Sequence, residues 1–243
     1  MGEKKQFLAL PPLVPGAGDI LITKVWRDTD ATKTGRRIVA GQALFSRMYR
    51  GSMRSEHAAV CSRRGRICEA LPDTNGVEEA NIDFDESLVV FRSDDLPLRT
   101  EIGRVASLLA RNTPQSSGVS PAYSEARAKR SVTKMRYLGR GGRRFLTELY
   151  VLAYGPENDP VALSLKERMG TQPVIRPTFC SEFACACLEL ASLKIMGRPC
   201  LNVDPRAISP KAFEALLRRS GRFARGRAVY ETEAERRAYE DAF

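Results

Sequence analysis

The chain has 243 residues, 43% hydrophobic and 28% charged, a composition that excludes a disordered or fibrous protein and suffices for a buried core. Its net charge of +10 favours acidic partners such as nucleic acid, anionic lipid or a cell-wall polymer, without choosing among them. No apolar run approaches the roughly 20 residues that span a bilayer, and Pro11 and Pro12 break the short N-terminal apolar stretch. We therefore expect one domain over residues 1–243, made in the cytoplasm without a signal peptide; export by a signal-independent route stays open.

Short strand-like runs dominate the N-terminal half of the sequence. Apolar or alternating segments bounded by turn residues predict strands at 18–22, 57–61, 66–70 and 87–92. The polar, basic residues 28–54 predict a loop that contains a short helix at 40–48. Residues 62–65 read SRRG, which favours a turn, so the second and third strands are expected to form a hairpin.

The C-terminal half combines helices with one basic stretch. Apolar residues at helical spacing predict helices at 101–111 and 179–196, and 145–154 reads as a helix or strand that returns to the core. Residues from about 112 to 144 are rich in Ser, Gly, Pro and Arg and predict a basic insertion. This insertion is either a solvated surface or an arm that holds an anionic polymer. The charged residues from about 229 predict an exposed C-terminal tail.

One of the six cysteines, Cys180, is distinguished by its position. Thr178 predicts the N-cap of helix 179–196, which places Cys180 in the first helical turn. There the helix dipole and the backbone N–H groups stabilise an anion, which lowers a thiol pKa and offers donors to an oxyanion. Cys185 and Cys187 lie deeper in this apolar helix and are expected to be packing residues. The cysteine spacing fits no zinc site, so we expect no metal and no cofactor.

His57 is the only histidine in the chain and hence the sole candidate for an imidazole base. It begins one strand of the predicted hairpin, and Glu69 lies on the other strand, twelve residues later. If the turn is an odd-numbered loop centred on Arg63, His57 and Glu69 face each other directly, and Glu69 fixes the imidazole tautomer. An even-numbered loop places the two side chains on opposite faces. Glu56 and Glu182 are alternative orienting residues, although Glu56 should point away from His57 and Glu182 better suits a cap or salt bridge.

The segments GDI, SEHAAV, ICEALPDTNGV, FCSEF and ISPKAFEALL, in this order, resemble the circularly permuted branch of the NlpC/P60 papain-like superfamily. In that branch the histidine strand precedes the cysteine helix. The resemblance implies Cys180 as nucleophile, His57 as general base and Glu69 as the third member of a triad. It also implies supporting roles for Asp19, in the first-strand motif, and for Ser181, beside the nucleophile. It covers about 16–25, 55–92 and 174–225.

The resemblance implies an α+β papain-like fold, in which a small antiparallel sheet or half-barrel packs on a central helix that bears the cysteine. The implied activity is that of a cysteine hydrolase that cleaves amide bonds, most commonly peptidoglycan stem peptides. A basic protein suits an anionic wall polymer. Without a signal peptide, the chain also fits a bacterial effector or toxin that is carried by a dedicated secretion machinery and is neutralised by an immunity protein.

Two other functions stay open from the sequence. The same triad serves lipid-directed acyltransferases and phospholipases, and the basic stretch would then face anionic lipid headgroups. A non-enzymatic protein that binds nucleic acid or another anionic surface is the third reading, and it predicts strongly salt-dependent binding that does not need Cys180.

Overall fold

A computed structural model of the chain describes residues 7–25, 54–70, 77–84, 87–112, 135–170 and 178–230. Within these ranges the fold is α+β, as predicted, with one seven-stranded sheet in the order β1-β7-β6-β2-β3-β4-β5. Neighbouring strands are antiparallel except for the parallel pair of β1 and β7. The sheet is larger than the small sheet expected from the sequence. The strands are β1 Pro12–Leu13, β2 Ile20–Val25, β3 Arg54–Arg63, β4 Arg66–Ala70, β5 Val77–Asn81, β6 Ser87–Ser93 and β7 Phe223–Ala228.

The helices build the main core against one face of this sheet. Apolar side chains of all five helices share one buried cluster with alternate residues of the strands, among them Ile20, Val60 and Phe91. None of the described helices is both long and apolar enough to cross a membrane. The helices are α1 Leu96–Asn112, α2 Arg140–Tyr154, α3 Pro160–Met169, α4 Cys180–Met196 and α5 Pro210–Ser220.

The elements predicted within the described residues are present, and most are longer than the sequence pattern indicated. The helix expected at 101–111 begins at Leu96, because Oδ1 of Asp95 accepts the Leu98 N–H (3.0 Å) one turn earlier. The basic insertion expected at 112–144 is shorter, since α1 includes Asn112 and α2 begins at Arg140. Its central part lies outside the described residues. The same holds for the expected helix at 40–48 and for the tail from residue 231.

A buried ion pair attaches the chain before β2 to β6. Asp19 is fully buried, and its two carboxylate oxygens accept hydrogen bonds from Nε (3.0 Å) and Nη2 (2.6 Å) of Arg92. The Gly16 N–H donates to the same carboxylate (2.8 Å), and Arg92 also donates to the Val14 carbonyl oxygen (2.6 Å). Removing one member of such a pair leaves a buried charge without compensation.

We predict that Arg92→Ala lowers the free energy of unfolding by about 3–5 kcal/mol, the usual cost of leaving a buried carboxylate unpaired. Urea denaturation at neutral pH measures this. The matched control is Arg63→Ala, because Arg63 pairs with Glu79 at 3.6 Å through side chains that are 69% and 32% exposed. That loss should stay below about 1 kcal/mol. Equal losses in the two variants would contradict the role given to the Asp19 pair.

Candidate active site

Cys180 is the first residue of α4, but the residue before it, not Thr178, is the N-cap. Phe179 has extended backbone angles (φ −134°, ψ 163°), and no side chain caps the helix. The predicted Thr178 cap is therefore wrong, because the helix begins one residue later than that cap requires. Cys180 occupies the first helical position, and so it lies within the first turn of the helix, as expected from the sequence. The dipole is felt most within this first turn.

His57 lies on β3 directly after a β-bulge. Thr23 of β2 pairs with His57, but the next β2 residue, Lys24, pairs with Ser55, so Glu56 is an extra residue without a cross-strand position. A bulge increases the local twist of a strand and re-aims the side chains beside it, and bulges are frequent next to active sites. The bulge thus sets the direction of the imidazole at this end of the sheet.

A second bulge sets the register between His57 and Glu69. Arg63 pairs with Arg66 across a two-residue turn, in which Gly65 takes a positive φ of 71°. That even-numbered turn alone would put His57 and Glu69 on opposite faces of the hairpin. The register shifts by one residue between Cys61 and Arg63, and this shift restores a common face.

The resulting geometry differs from the one expected. The pairing of Val60 with Cys68 puts Glu69 opposite Ala59 rather than opposite His57. His57 and Glu69 are therefore diagonal neighbours, which still lie within reach of long side chains. Nε2 of His57 lies 2.6 Å from Oε2 of Glu69. The expected pairing is thus present through a different register from the odd-numbered loop centred on Arg63.

Cys180 completes a chain of three side chains. Its thiol is a hydrogen-bond partner of the His57 ring, and because Nε2 is bonded to Glu69, Nδ1 is the ring nitrogen left for the sulfur. The Cys180 residue is 1% exposed, whereas the His57 side chain is 19% exposed. Solvent therefore reaches the pair from the imidazole side.

The partners of the His57 imidazole favour its protonated form. Burial by itself lowers the pKa of His57, because it penalises the charged ring. The negative charge and hydrogen bond of Cys180, followed by the hydrogen bond and charge of Glu69, outweigh burial and raise this pKa well above 6.5. An imidazolium between a thiolate and a carboxylate is the arrangement that activates a sulfur nucleophile.

The environments of the other five cysteines favour the neutral thiol. Burial is the largest effect on each of them and raises their pKa values, to about 11 for Cys68. Cys185 and Cys187 are fully buried in the core, as expected of packing residues. All six cysteines are free thiols, and His57 provides Cys180 with a cationic partner.

The two supporting residues proposed from the sequence are engaged in structural contacts. Asp19 pairs with Arg92, and it lies four residues along β2 from the partner of His57, about 13 Å at 3.3 Å per residue. Ser181 is fully buried and donates to the carbonyl oxygen of Ile208 (2.8 Å), which ties α4 to the segment before α5.

The two alternative orienting residues, Glu182 and Glu56, lie on different elements of the fold. Glu182 is fully buried on α4, and its charge contributes to the raised pKa of Arg206, after larger effects of the Asp204 hydrogen bond, burial and the Asp204 charge. Glu56 is the extra residue of the bulge, and its side chain lies outside the described structure.

Sequence reasoning missed one residue of the site. Glu78 of β5 is the direct cross-strand partner of Glu69. Burial, and then the Glu69 charge, raise the pKa of Glu78. The signal available in the sequence was the alternation of β5, which becomes informative only when the pairing with β4 is known.

Comparison of the chain with models of known protein families found no match, and comparisons with curated proteins and with solved structures found none either. Within the described ranges, no group of three or more histidine, cysteine, aspartate or glutamate side chains could hold a metal ion.

Because the chain has a single histidine, its titration can be followed as one resonance by NMR of histidine-labelled protein. We predict that the ring stays protonated well above pH 6.5 in the wild type. Cys180→Ala and Glu69→Gln should each lower its pKa, by about one unit or more, because each removes a negative charge that favours the imidazolium.

Glu79→Gln is the control for this titration. Glu79 lies on β5, next to the strand of Glu69, and accepts a hydrogen bond from the Ser62 hydroxyl (2.5 Å). It is not among the groups that shift the pKa of His57. The variant should leave the titration of His57 unchanged. A wild-type pKa near 6.5 that neither test variant moves would refute the ionic chain of Cys180, His57 and Glu69.

Proposed function

We propose that this protein is a cysteine hydrolase with Cys180 as nucleophile, His57 as general base and acid, and Glu69 as the residue that orients the imidazole. One observation carries the proposal: the thiol at the start of α4, the only histidine and a carboxylate form a continuous hydrogen-bonded chain. A structural histidine does not require a thiol on one side and a carboxylate on the other. This arrangement is the one that nucleophilic acyl transfer needs.

The reaction follows from the charges of the three side chains. The Cys180 thiolate attacks the carbonyl carbon, so that an S–C bond forms and the carbonyl oxygen becomes an oxyanion. The His57 imidazolium then gives its proton to the leaving amine as the C–N bond breaks, which leaves a thioester on Cys180. Neutral His57 next takes a proton from water, whose oxygen attacks the thioester carbonyl. The carboxylic acid departs, and the thiolate and imidazolium are restored.

The beginning of α4 supplies the oxyanion stabilisation in this proposal. The backbone N–H groups of the first helical turn have no intrahelical acceptors, and the positive end of the helix dipole favours negative charge there. A developing oxyanion beside Cys180 meets both effects.

The resemblance to permuted NlpC/P60 proteins supports a papain-like arrangement. Here a central helix that begins with the cysteine packs on the strands that carry the histidine and the carboxylate, and all three follow the chain order of that branch. We accordingly propose amide bonds of peptidoglycan stem peptides as the substrate. The net charge of +10 favours association with an anionic wall polymer.

Digestion of purified peptidoglycan, followed by mass spectrometry of the released fragments, tests this function. Cys180→Ala should lower the rate at least about 10³-fold, because the residual rate of triad enzymes without a triad member is small. Glu69→Gln should lower the rate less. The variant should also shift the alkaline limit of activity to lower pH, because the Glu69 carboxylate raises the pKa of His57 and its removal lowers that pKa. Activity needs the imidazolium and therefore falls as the pH rises through this pKa.

Cys200→Ala is the matched control, since Cys200 is a half-buried thiol whose hydrogen-bond partners, Ser192 and Arg222, lie outside the triad. It should retain wild-type activity. Vesicles of phosphatidylglycerol form the second arm of the experiment. Cys180-dependent release of fatty acid from the vesicles, without release of wall fragments, would replace the peptidoglycan substrate by a lipid. Fragment release that persists in Cys180→Ala would refute the nucleophile itself.

A further inference from the structure

Outside the chain of Cys180, His57 and Glu69, cationic side chains converge between α5 and β7. Glu214 of α5 forms an ion pair with Lys24 of β2, and both residues are buried. Arg218 follows Glu214 by four residues, so the two side chains share one face of α5. This face of the helix therefore presents a guanidinium next to the buried ion pair.

Two arginines of β7 lie on the face of the sheet that α5 and the other helices cover. Arg225 pairs with Phe91 across β6, and Arg227 pairs with Val89. Phe91 and Val89 belong to the core that the helices cover, and cross-strand partners lie on one face. Arg225 and Arg227 therefore project on the helix side, about 7 Å apart along the strand. We call Lys24, Arg218, Arg225 and Arg227, together with Glu214, the α5–β7 basic groove.

The three arginines of this groove lack partners within the described part of the chain. None of them forms an ion pair or a side-chain hydrogen bond there, and Nε of Arg227 is buried without an acceptor. Arg225 and Arg227 are half-buried, and Arg218 is exposed. Buried or half-buried donors normally find acceptors in the protein or in a bound ligand. The nitrogens of Arg225 are not sealed from solvent, so a ligand can reach them.

Electrostatic effects link four of these groups, Lys24, Arg218, Arg225 and Glu214, to one another. Burial, and then the charge of Arg218, lower the pKa of Arg225, and Glu214 opposes them only in part. Burial is also the largest effect on Lys24 and lowers its pKa, with smaller lowering by Arg225 and Arg218. Like charges held together in this way weaken the fold, and the cost is relieved when an anion binds among them.

We propose that the α5–β7 basic groove is a binding site for an oxyanion group, a phosphate or a carboxylate. Forked guanidinium donors from Arg225 and Arg227 match the planar or tetrahedral oxygens of such groups. Arg218 lies on the solvent-exposed side of the groove. Glu214 pairs with Lys24 on its buried side. The site does not depend on the proposed reaction, because none of its residues belongs to the triad.

The experiment is a thermal-melting titration of the full chain with sodium phosphate and, separately, with sodium citrate, at constant ionic strength set by sodium chloride. Binding to the folded state alone raises the melting temperature with ligand concentration. We expect a saturating rise for the wild type. Arg225→Gln and Arg227→Gln should each weaken the fitted affinity about tenfold, the loss expected for one charge-assisted donor group. Saturation with phosphate alone assigns a phosphate site, and saturation with citrate alone assigns a carboxylate site.

Arg219→Gln is the matched control, because it removes the same charge from the same turn of α5 outside the groove. It should change the affinity less than about twofold, since remote surface charge is screened. Without the anion, Arg225→Gln should melt at or above the wild-type temperature, because it removes a repulsive charge. Arg218→Gln, at an exposed position, repeats the test if a half-buried variant does not fold.

Cys180→Ala should keep the full affinity, which separates this site from the proposed catalysis. A titration that never saturates with either anion would overturn the proposal. Equal weakening in Arg219→Gln and Arg225→Gln would overturn it as well, because it would show diffuse attraction by the surface charge.

Discussion

The burial of α4 is the constraint on which the rest of the structure depends. Every residue from Cys180 to Ser192 is buried, so the helix is covered on all sides. It packs against β3 and β4 on one side and against α1 and α2 on another. Burying most of a 17-residue helix in this way favours a single position for it. The start of α4, and with it Cys180, is therefore fixed relative to the ends of β3 and β4.

Polar groups inside α4 hold the segments that follow it. The Glu189 carboxylate is fully buried and accepts from the backbone N–H groups of Cys200 (2.6 Å) and Leu201 (3.1 Å) in the loop after the helix. Burial raises the pKa of Glu189 to about 7, and these hydrogen bonds act against that rise. Ser181 holds the next segment at Ile208. The cysteine helix thus positions α5, and with it one wall of the basic groove.

Charges in the interior are used in two different ways. Asp19 with Arg92, and Lys24 with Glu214, are buried pairs whose members compensate each other. A buried pair of this kind gives little net stability, but it fixes the elements that carry it. In the chain of Cys180, His57 and Glu69, by contrast, a thiol, an imidazole and a carboxylate are arranged in series, and both outer groups favour a charged imidazole between them.

The sequence by itself determined the element types and the identities of the candidate side chains. Alternation predicted β3 and β4, the apolar pattern predicted α4 with its end at residue 196, and the single histidine left one base to consider. These signals are local, because they depend on residues within one or two turns of each other. Cys180 at a helix start was also available from local patterns, although the cap was assigned to Thr178 instead of Phe179.

Only the tertiary structure decided whether these side chains meet. The pairing of His57 with Glu69 depends on bulges at Glu56 and Ser62, and a bulge is a property of two paired strands that one strand's sequence does not show. The approach of Cys180 to His57 depends on how α4 packs on the sheet, across more than a hundred residues of chain. The basic groove joins β2, α5 and β7 for the same reason: packing brings together residues that local periodicity cannot relate.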